Sequence, residues 1–213
     1  MIYDITTKEQ LLKTKSEMLS LSSSEKIIIR GFHITTSSNN CKEILQNGIE
    51  PLNKVLSNPS SELTKFLLDF NLSFNIDNMT VKHGERTRSI KEYPYEKISK
   101  LLTRGPYAFL FCANIKSYGE IHMYPEILNE MEKNRIIDVT ALEKWKNSKK
   151  AYKITFEVPS EYISRNYLAM YKQTEKECLL AMCDGMSKPN TPSLEIAFEK
   201  IPKEFITDIE QVS

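Results

Sequence analysis

Four short segments rich in β-branched and aromatic residues constrain the fold of this chain more than any other feature. They are KIIIRGFHIT at 26–35, YAFLFCA at 107–113, AYKITFEV at 151–158 and LEIAF at 194–198. Each has the composition of a β-strand, and the third alternates apolar and polar residues as a half-buried strand does. Because helical patterns separate the segments, the sequence predicts one α+β domain whose strands are dispersed along the chain.

Helical spacing and capping residues predict most of the remaining elements. We expect helices at 7–20, between Asn39 and Gly48, from Asn58-Pro59 to Phe70, and at 96–102, 124–134 and 138–148. Pro125 and Asp138 suit the starts of the last two helices. The rest of 71–104 is predicted to be a long exposed loop, and 175–184 has only a short, mixed pattern. Residues 1–25 are expected to form an N-terminal helical segment and 26–213 the main body of one domain.

The charge balance limits the kinds of partner. With 29 basic and 28 acidic residues the net charge is +1, so we do not expect nucleic acid to be held through bulk charge alone. The stretch HGERTR at 83–88 could form a local basic patch that meets a nucleic-acid phosphate or the NAD pyrophosphate, but a solvated charged loop is the favoured interpretation. No apolar run reaches the length of a membrane span, and the first residues do not resemble a secretory signal. We therefore expect a cytoplasmic protein with no membrane partner.

Several common catalytic classes are excluded by missing motifs. The chain has only six glycines and contains no P-loop, no G-x-G-x-x-G, no H-E-x-x-H and no G-x-S-x-G. Its four cysteines are scattered, without a C-x-x-C pair, so neither a disulfide framework nor a zinc site is expected. The sequence thus predicts no metal site.

Three distant segments contain the residues best suited to a functional site. His33 lies within the first strand, Tyr107 opens the second and is followed by Ser117 and Tyr118, and Glu195 lies in the last strand after the loop SKPNTPS. Taken singly, each has a structural explanation. A histidine in a strand is often hydrogen-bonded in the core, strand aromatics are often core residues, and a strand carboxylate often faces solvent.

Taken together, the three segments resemble the ADP-ribosyltransferase fold. FHIT at 32–35, followed by IL at 44–45 and GI at 48–49, is similar to that family's first strand and helix. GPYAF at 105–109 resembles the G-x-Y-F strand of the poly(ADP-ribose)-polymerase-like branch, and SLEIAF at 193–198 the last motif of DNA-modifying toxin relatives. The resemblance spans about residues 28–205 and follows the family's order of His, Tyr and Glu. It implies two packed, mainly antiparallel sheets around an NAD cleft, with helices outside.

The resemblance also implies a reaction. NAD would be the donor, and its ribose would pass through an oxocarbenium-like state as nicotinamide leaves, as in glycoside hydrolysis. Glu195 would stabilise that state through the ribose 2′-OH, without a metal. With His33 and Tyr107 it forms the expected catalytic set.

The same comparison assigns the cofactor-binding residues. His33 would bind the adenosine-side ribose, the backbone of Ile34 the nicotinamide amide, and the Thr35 hydroxyl would assist. Tyr107 and Tyr118 would hold the nicotinamide ring between them, and Ser117 belongs to the same motif. Cofactor-binding residues are thus expected to be His33, Ile34, Thr35, Tyr107, Ser117 and Tyr118.

Two departures from the family pattern distinguish its branches. Ile34 replaces the glycine that follows the histidine in one branch. Ser193 stands where the arginine-modifying branch has the first acid of its E-x-E, so that activity is not expected, although Arg30 resembles that branch's arginine.

The leading hypothesis is a mono-ADP-ribosyltransferase that modifies a protein or nucleic acid. The loop SKPNTPS at 187–193 would either recognise the acceptor or serve only as a connection. Such a protein would fit a toxin, an antiviral factor or a phage-borne effector. One alternative is a catalytically inactive relative that binds a nucleotide or a protein. Another is an RNA 2′-phosphotransferase on the same fold, for which the required set of arginines cannot be assembled.

Overall fold

The computed structural model describes residues 1–22, 25–117, 119–188 and 190–212. The strands within these residues are β1 (Ile2–Tyr3), β2 (Ile28–Ser37), β3 (Leu72–Asn75), β4 (Thr80–His83), β5 (Arg86–Ser89), β6 (Tyr107–Cys112), β7 (Lys150–Pro159), β8 (Ser193–Ala197) and β9 (Ile206–Val212). The α-helices are α1 (Lys8–Ser20), α2 (Lys42–Asn47), α3 (Leu52–Ser57), α4 (Glu62–Asp69), α5 (Glu96–Thr103), α6 (Glu126–Lys133), α7 (Val139–Ser148), α8 (Arg165–Tyr171) and α9 (Glu175–Met186). The fold is α+β, as predicted, with two antiparallel sheets.

The main sheet contains all four strands predicted from apolar segments. Its order is β8-β6-β2-β7-β9, with β1 paired parallel to β2 at one end. The alternation in β7 has the expected cause. Tyr152, Ile154, Phe156 and Val158 are at most 5% exposed, because every second residue of this strand faces one hydrophobic core.

The main sheet is weakly joined at its centre. β2 pairs with β7 along its whole length of ten residues, but its register with β6 contains the single pair Phe32–Phe109. The sheet therefore has two halves, β8-β6 and β1-β2-β7-β9, which are joined by fewer backbone pairs than any other two neighbouring strands. Beyond Phe32, no backbone pair is assigned between the described residues of β2 and β6.

The smaller sheet is the meander β3-β4-β5, so the prediction of a long loop over most of 71–104 was wrong. Leu72 and Val81 of this meander are 1% exposed and pack with Phe66 and Trp145, in a cluster separate from that of the main sheet. β3 and β4 have four residues each, and only one of the four is buried, Leu72 in β3 and Val81 in β4. Such short strands show too little alternation for the sequence to predict them.

Capping explains where several helices begin. Asp138 caps α7 by accepting a hydrogen bond from the Ala141 N–H, as predicted. The helix expected at Pro59 starts later, at Glu62, because the Ser61 hydroxyl caps it. The mixed pattern at 175–184 is in fact helix α9, which begins with a reciprocal capping box between Thr174 and Glu177.

The N-terminal segment belongs to the main core. Tyr3, Ile5 and Met18 are completely buried, in the same cluster as Ile29 of β2. Helix α1 packs against α9. Within the described part of the chain, no helix is both long and apolar enough to cross a bilayer.

Candidate functional site

A cavity of about 890 Å³ lies where the two halves of the main sheet separate. One wall is formed by residues 33–37 of β2, by residues 104–107 at the start of β6, and by Glu195 of β8. The opposite wall comes from α2 to α6 and from Trp145 of α7. The smaller sheet contributes no lining residue, so the cavity lies beside the split main sheet and not between it and the meander.

The His33 side chain on β2 forms a hydrogen bond to β6, across the junction between the two halves of the main sheet. Its Nδ1 lies 2.8 Å from the Tyr107 carbonyl oxygen, and because that oxygen only accepts, Nδ1 must carry the proton. Burial lowers the pKa of His33, although the bond to Tyr107 opposes the shift, so the ring is neutral near pH 7. The remaining nitrogen, Nε2, is then an acceptor, and none of the described side chains bonds to it. The histidine has both a structural bond and a free acceptor.

Glu195 is placed by cross-strand pairing. It lies opposite Phe109, which in turn pairs with Phe32, so the three side chains share one face of the sheet. The two phenyl rings stack with centroids 5.3 Å apart. Among the described residues, the Glu195 carboxylate has no hydrogen-bond or ion-pair partner, and burial raises its pKa. It is a desolvated, unpaired acid in a cavity wall, an arrangement typical of functional carboxylates.

Tyr107 lies between the histidine and the glutamate. Burial raises the pKa of its hydroxyl, and its ring is 5.7 Å from the Arg104 guanidinium carbon. Gly105 allows this placement, because a Cβ there would lie 1.5 Å from the Phe198 carbonyl oxygen. The glycine of GPYAF is thus required by the close approach of the chain that follows β8.

The other predicted site residues have mixed outcomes. Ile34 and Thr35 line the cavity, Ile34 with its side chain 6% exposed beside Phe32 and Phe109. The backbone of Ser117 ends a 3-10 turn, but its side chain and all of Tyr118 lie outside the described residues. The prediction that Tyr118 holds the nicotinamide ring together with Tyr107 therefore stays a prediction.

Two basic segments lie away from the cavity. The Arg30 guanidinium is paired with Asp4 and Glu157 and does not line the cavity. Arg30, which resembles the arginine of the arginine-modifying branch, thus bridges two acids in this structure. The segment 83–88 forms the β4–β5 hairpin, also outside the lining.

Apart from Glu195, sequence reasoning missed the charged residues that line the cavity. The cations are Lys54 and Arg104, and the acids, with Glu195, are Glu43, Glu50, Glu62, Glu120 and Glu126. Two of the acids are neutralised, since Glu62 pairs with Lys149 and Glu126 with Lys97. An anionic group entering the cavity therefore has Lys54 and Arg104 as its cationic partners within the described lining.

Tyr124 provides a further aromatic wall. Its ring is 7% exposed and lines the cavity, and its hydroxyl donates a hydrogen bond to the Glu120 carboxylate. Tyr124 directly precedes Pro125, the N-cap residue of α6. A tyrosine at the start of the helix predicted over 124–134 was the available signal, but nothing in the sequence indicates which way it faces.

Among the described residues, no group of three His, Cys, Asp or Glu side chains is arranged to hold a metal ion. No protein-family model matches the chain, and searches of curated proteins and of solved structures found no match either. The case for a function therefore depends on the cavity and on the residues that line it.

Proposed function

We propose that the protein is a mono-ADP-ribosyltransferase that uses NAD as donor and transfers ADP-ribose to a macromolecular acceptor. One observation supports this most. His33, Tyr107 and Glu195 come from three distant segments, and all three line one cavity.

The shape of the sheet is consistent with this proposal. The resemblance implied a cleft between two antiparallel sheets. The main sheet provides a comparable opening, because its halves are joined by the single pair Phe32–Phe109. The cavity begins where that pairing ends.

Glu195 would stabilise the ribose as nicotinamide departs. The C1′–N bond breaks, its electron pair leaves with nicotinamide, and positive charge develops on the ribose. A carboxylate that accepts a hydrogen bond from the 2′-OH stabilises this charge more in the transition state than in the ground state. The acceptor nucleophile then bonds to C1′ and transfers its proton to the Glu195 carboxylate. A carboxylate without a protein partner, as Glu195 is among the described residues, is available for both steps.

The other residues would bind the donor. His33 Nε2 would accept a hydrogen bond from a hydroxyl of the adenosine ribose. The backbone of Ile34 and the Thr35 hydroxyl lie on the same wall, and Tyr107 would contact the nicotinamide ring. The pyrophosphate would lie near Arg104 and Lys54, the cations of the described lining.

A second candidate, ligand binding without catalysis, is favoured by the charge of the lining. Four of the six lining carboxylates are not paired with a lysine, against two cations, which opposes a dianionic pyrophosphate and suits a ligand rich in hydrogen-bond donors. The two candidates differ in one measurable property, since only an enzyme releases nicotinamide from NAD.

The test is nicotinamide release from NAD by the purified protein, followed by chromatography. Glu195→Gln should lower kcat by about 10²- to 10³-fold, the usual cost of losing one transition-state contact, with little change in KM. Glu204→Gln, at an exposed position, is the matched control and should behave as the wild type. No release by the wild-type protein would refute the proposal, and wild-type turnover by Glu195→Gln would refute the role of the glutamate.

A further inference from the structure

Glu195 lies on a strand that is paired on one side only. β8 is at the edge of the main sheet, with β6 as its neighbour. The register between these two strands shifts between Phe109 and Phe111, directly beside the pair Phe109–Glu195. Because such an irregularity disrupts the ladder locally, pairing with β6 restrains the backbone of Glu195 less than regular pairing would.

The chain leading into α8 bonds to the other side of β8. Carbonyls two residues apart in a strand point to the same side, and those of Glu195 and Ala197 both point away from β6. The Ser164 N–H donates to the Ala197 carbonyl across 2.9 Å. The Tyr167 hydroxyl donates to the Glu195 carbonyl across 3.3 Å. Tyr167 therefore bonds to the peptide of Glu195 from the side on which β8 has no neighbour among the described strands.

The ring of Tyr167 is fixed by packing. It is 8% exposed, its centroid lies 6.3 Å from that of Tyr107 in an edge-to-face arrangement, and Tyr171 packs against it at 5.0 Å. Tyr167 does not belong to the described lining of the cavity, whereas Tyr107 and Glu195 do. One side chain behind the cavity wall thus contacts both Tyr107 and the backbone of the candidate catalytic acid.

We propose that Tyr167 is a positioning residue that orients Glu195 for the transfer reaction, an inference that rests on the proposed function. The Glu195 carboxylate has no hydrogen-bond or ion-pair partner among the described residues, so its own side-chain contacts do not orient it. Its direction follows from its backbone, and the Tyr167 hydroxyl restrains that backbone. A small displacement of a reacting group is costly, since about 1 Å can lower a rate by about 10²-fold.

The first test compares two variants that each lose one hydroxyl bonded to a backbone carbonyl. Tyr167→Phe keeps the ring against Tyr107 and should lower kcat for nicotinamide release about tenfold, with KM for NAD unchanged. Tyr3→Phe is the matched control, because the buried Tyr3 hydroxyl donates to the Leu179 carbonyl across 2.8 Å, outside the described cavity lining. Both variants should lower Tm by about 2–4 °C, but only Tyr167→Phe should lower kcat. A normal kcat in Tyr167→Phe, or the same fall in both variants, would overturn the inference.

The second test is a double-mutant cycle with Glu195→Gln. A residue that acts through the carboxylate has nothing left to position once the carboxylate is replaced, so Tyr167→Phe should not lower the residual kcat of Glu195→Gln further. A further tenfold fall would show that Tyr167 acts on another group and would overturn the inference. The two proposals fail differently. Absence of nicotinamide release by the wild-type protein refutes the proposed function and this role with it, whereas release with additive effects of the two substitutions refutes the positioning role alone.

Discussion

Replacing His33 with phenylalanine removes both its hydrogen bond to Tyr107 and its proposed contact with NAD. The first loss is measured as a change in Tm and the second as a change in KM. The Phe198 N–H donates to the Pro106 carbonyl across 2.9 Å. Because successive carbonyls of a strand point to opposite sides, the Tyr107 carbonyl points toward β2. The His33 imidazole takes this carbonyl in place of a backbone donor. Phenylalanine fills similar space but donates nothing.

The magnitude follows from one lost neutral hydrogen bond. Such a bond contributes about 1 kcal/mol, and in a chain of 213 residues that lowers Tm by about 2–4 °C. Loss of the Nε2 acceptor removes a second bond of this kind, which raises KM for NAD about 2- to 12-fold. Because a bond to the distant ribose is the same in the ground and transition states, kcat should change little.

The assays are thermal unfolding followed by circular dichroism and nicotinamide release at varied NAD. His83→Phe, at an exposed histidine of β4, makes the same chemical change outside the cavity and should alter neither quantity. A normal KM in His33→Phe would refute the ribose contact. A fall in kcat with KM unchanged would instead place His33 in the chemical step.

The remaining predictions concern charge. Burial raises the pKa of Glu195, so its contribution to stability is fully present below the unfolded pKa, near 4.5, and is lost as pH rises through the folded value. Glu195→Gln should therefore melt above the wild type at pH 8 and equal to it near pH 4, and a lower Tm at pH 8 would contradict this. Arg104→Gln should raise KM for NAD about tenfold by removing a charge-assisted phosphate contact, whereas Arg86→Gln on the exposed hairpin should not. Equal KM values would exclude Arg104 from the pyrophosphate site.

The fold was predictable where burial imposes a regular period. β7 alternates because one face packs in the core, and β2, β6 and β8 were evident from their apolar content. β9 was missed for a physical reason. Its half-buried residues Ile206, Ile209 and Val212 recur every third position, and its register with β7 shifts between Ile206 and Asp208. A bulged edge strand does not show the alternation by which strands are recognised.

The site was predictable only in part, because its two walls depend on different kinds of information. The sheet wall follows from motifs, and His33, Tyr107 and Glu195 all line the cavity. The helical wall depends on how α3, α5 and α6 pack. Arg104 follows directly after α5, and no local pattern indicates that it faces the Tyr107 ring. α9 was detectable from its capping box alone, at Thr174 and Glu177.

The unpaired state of Glu195 distinguishes it from other buried acids of this chain. Glu62 is bonded to Ser38 and Lys149, and Glu130 to Lys97 and Lys133. Both pairings lower the carboxyl pKa against the effect of burial. A cation placed beside Glu195 would stabilise the fold in the same way, but it would compete with a ribose hydroxyl for the carboxylate and cancel the charge that the transition state needs. An acid with only a structural role gains nothing by remaining unpaired. The cost in stability at Glu195 is therefore expected of a functional carboxylate, and the melting difference at pH 8 measures it.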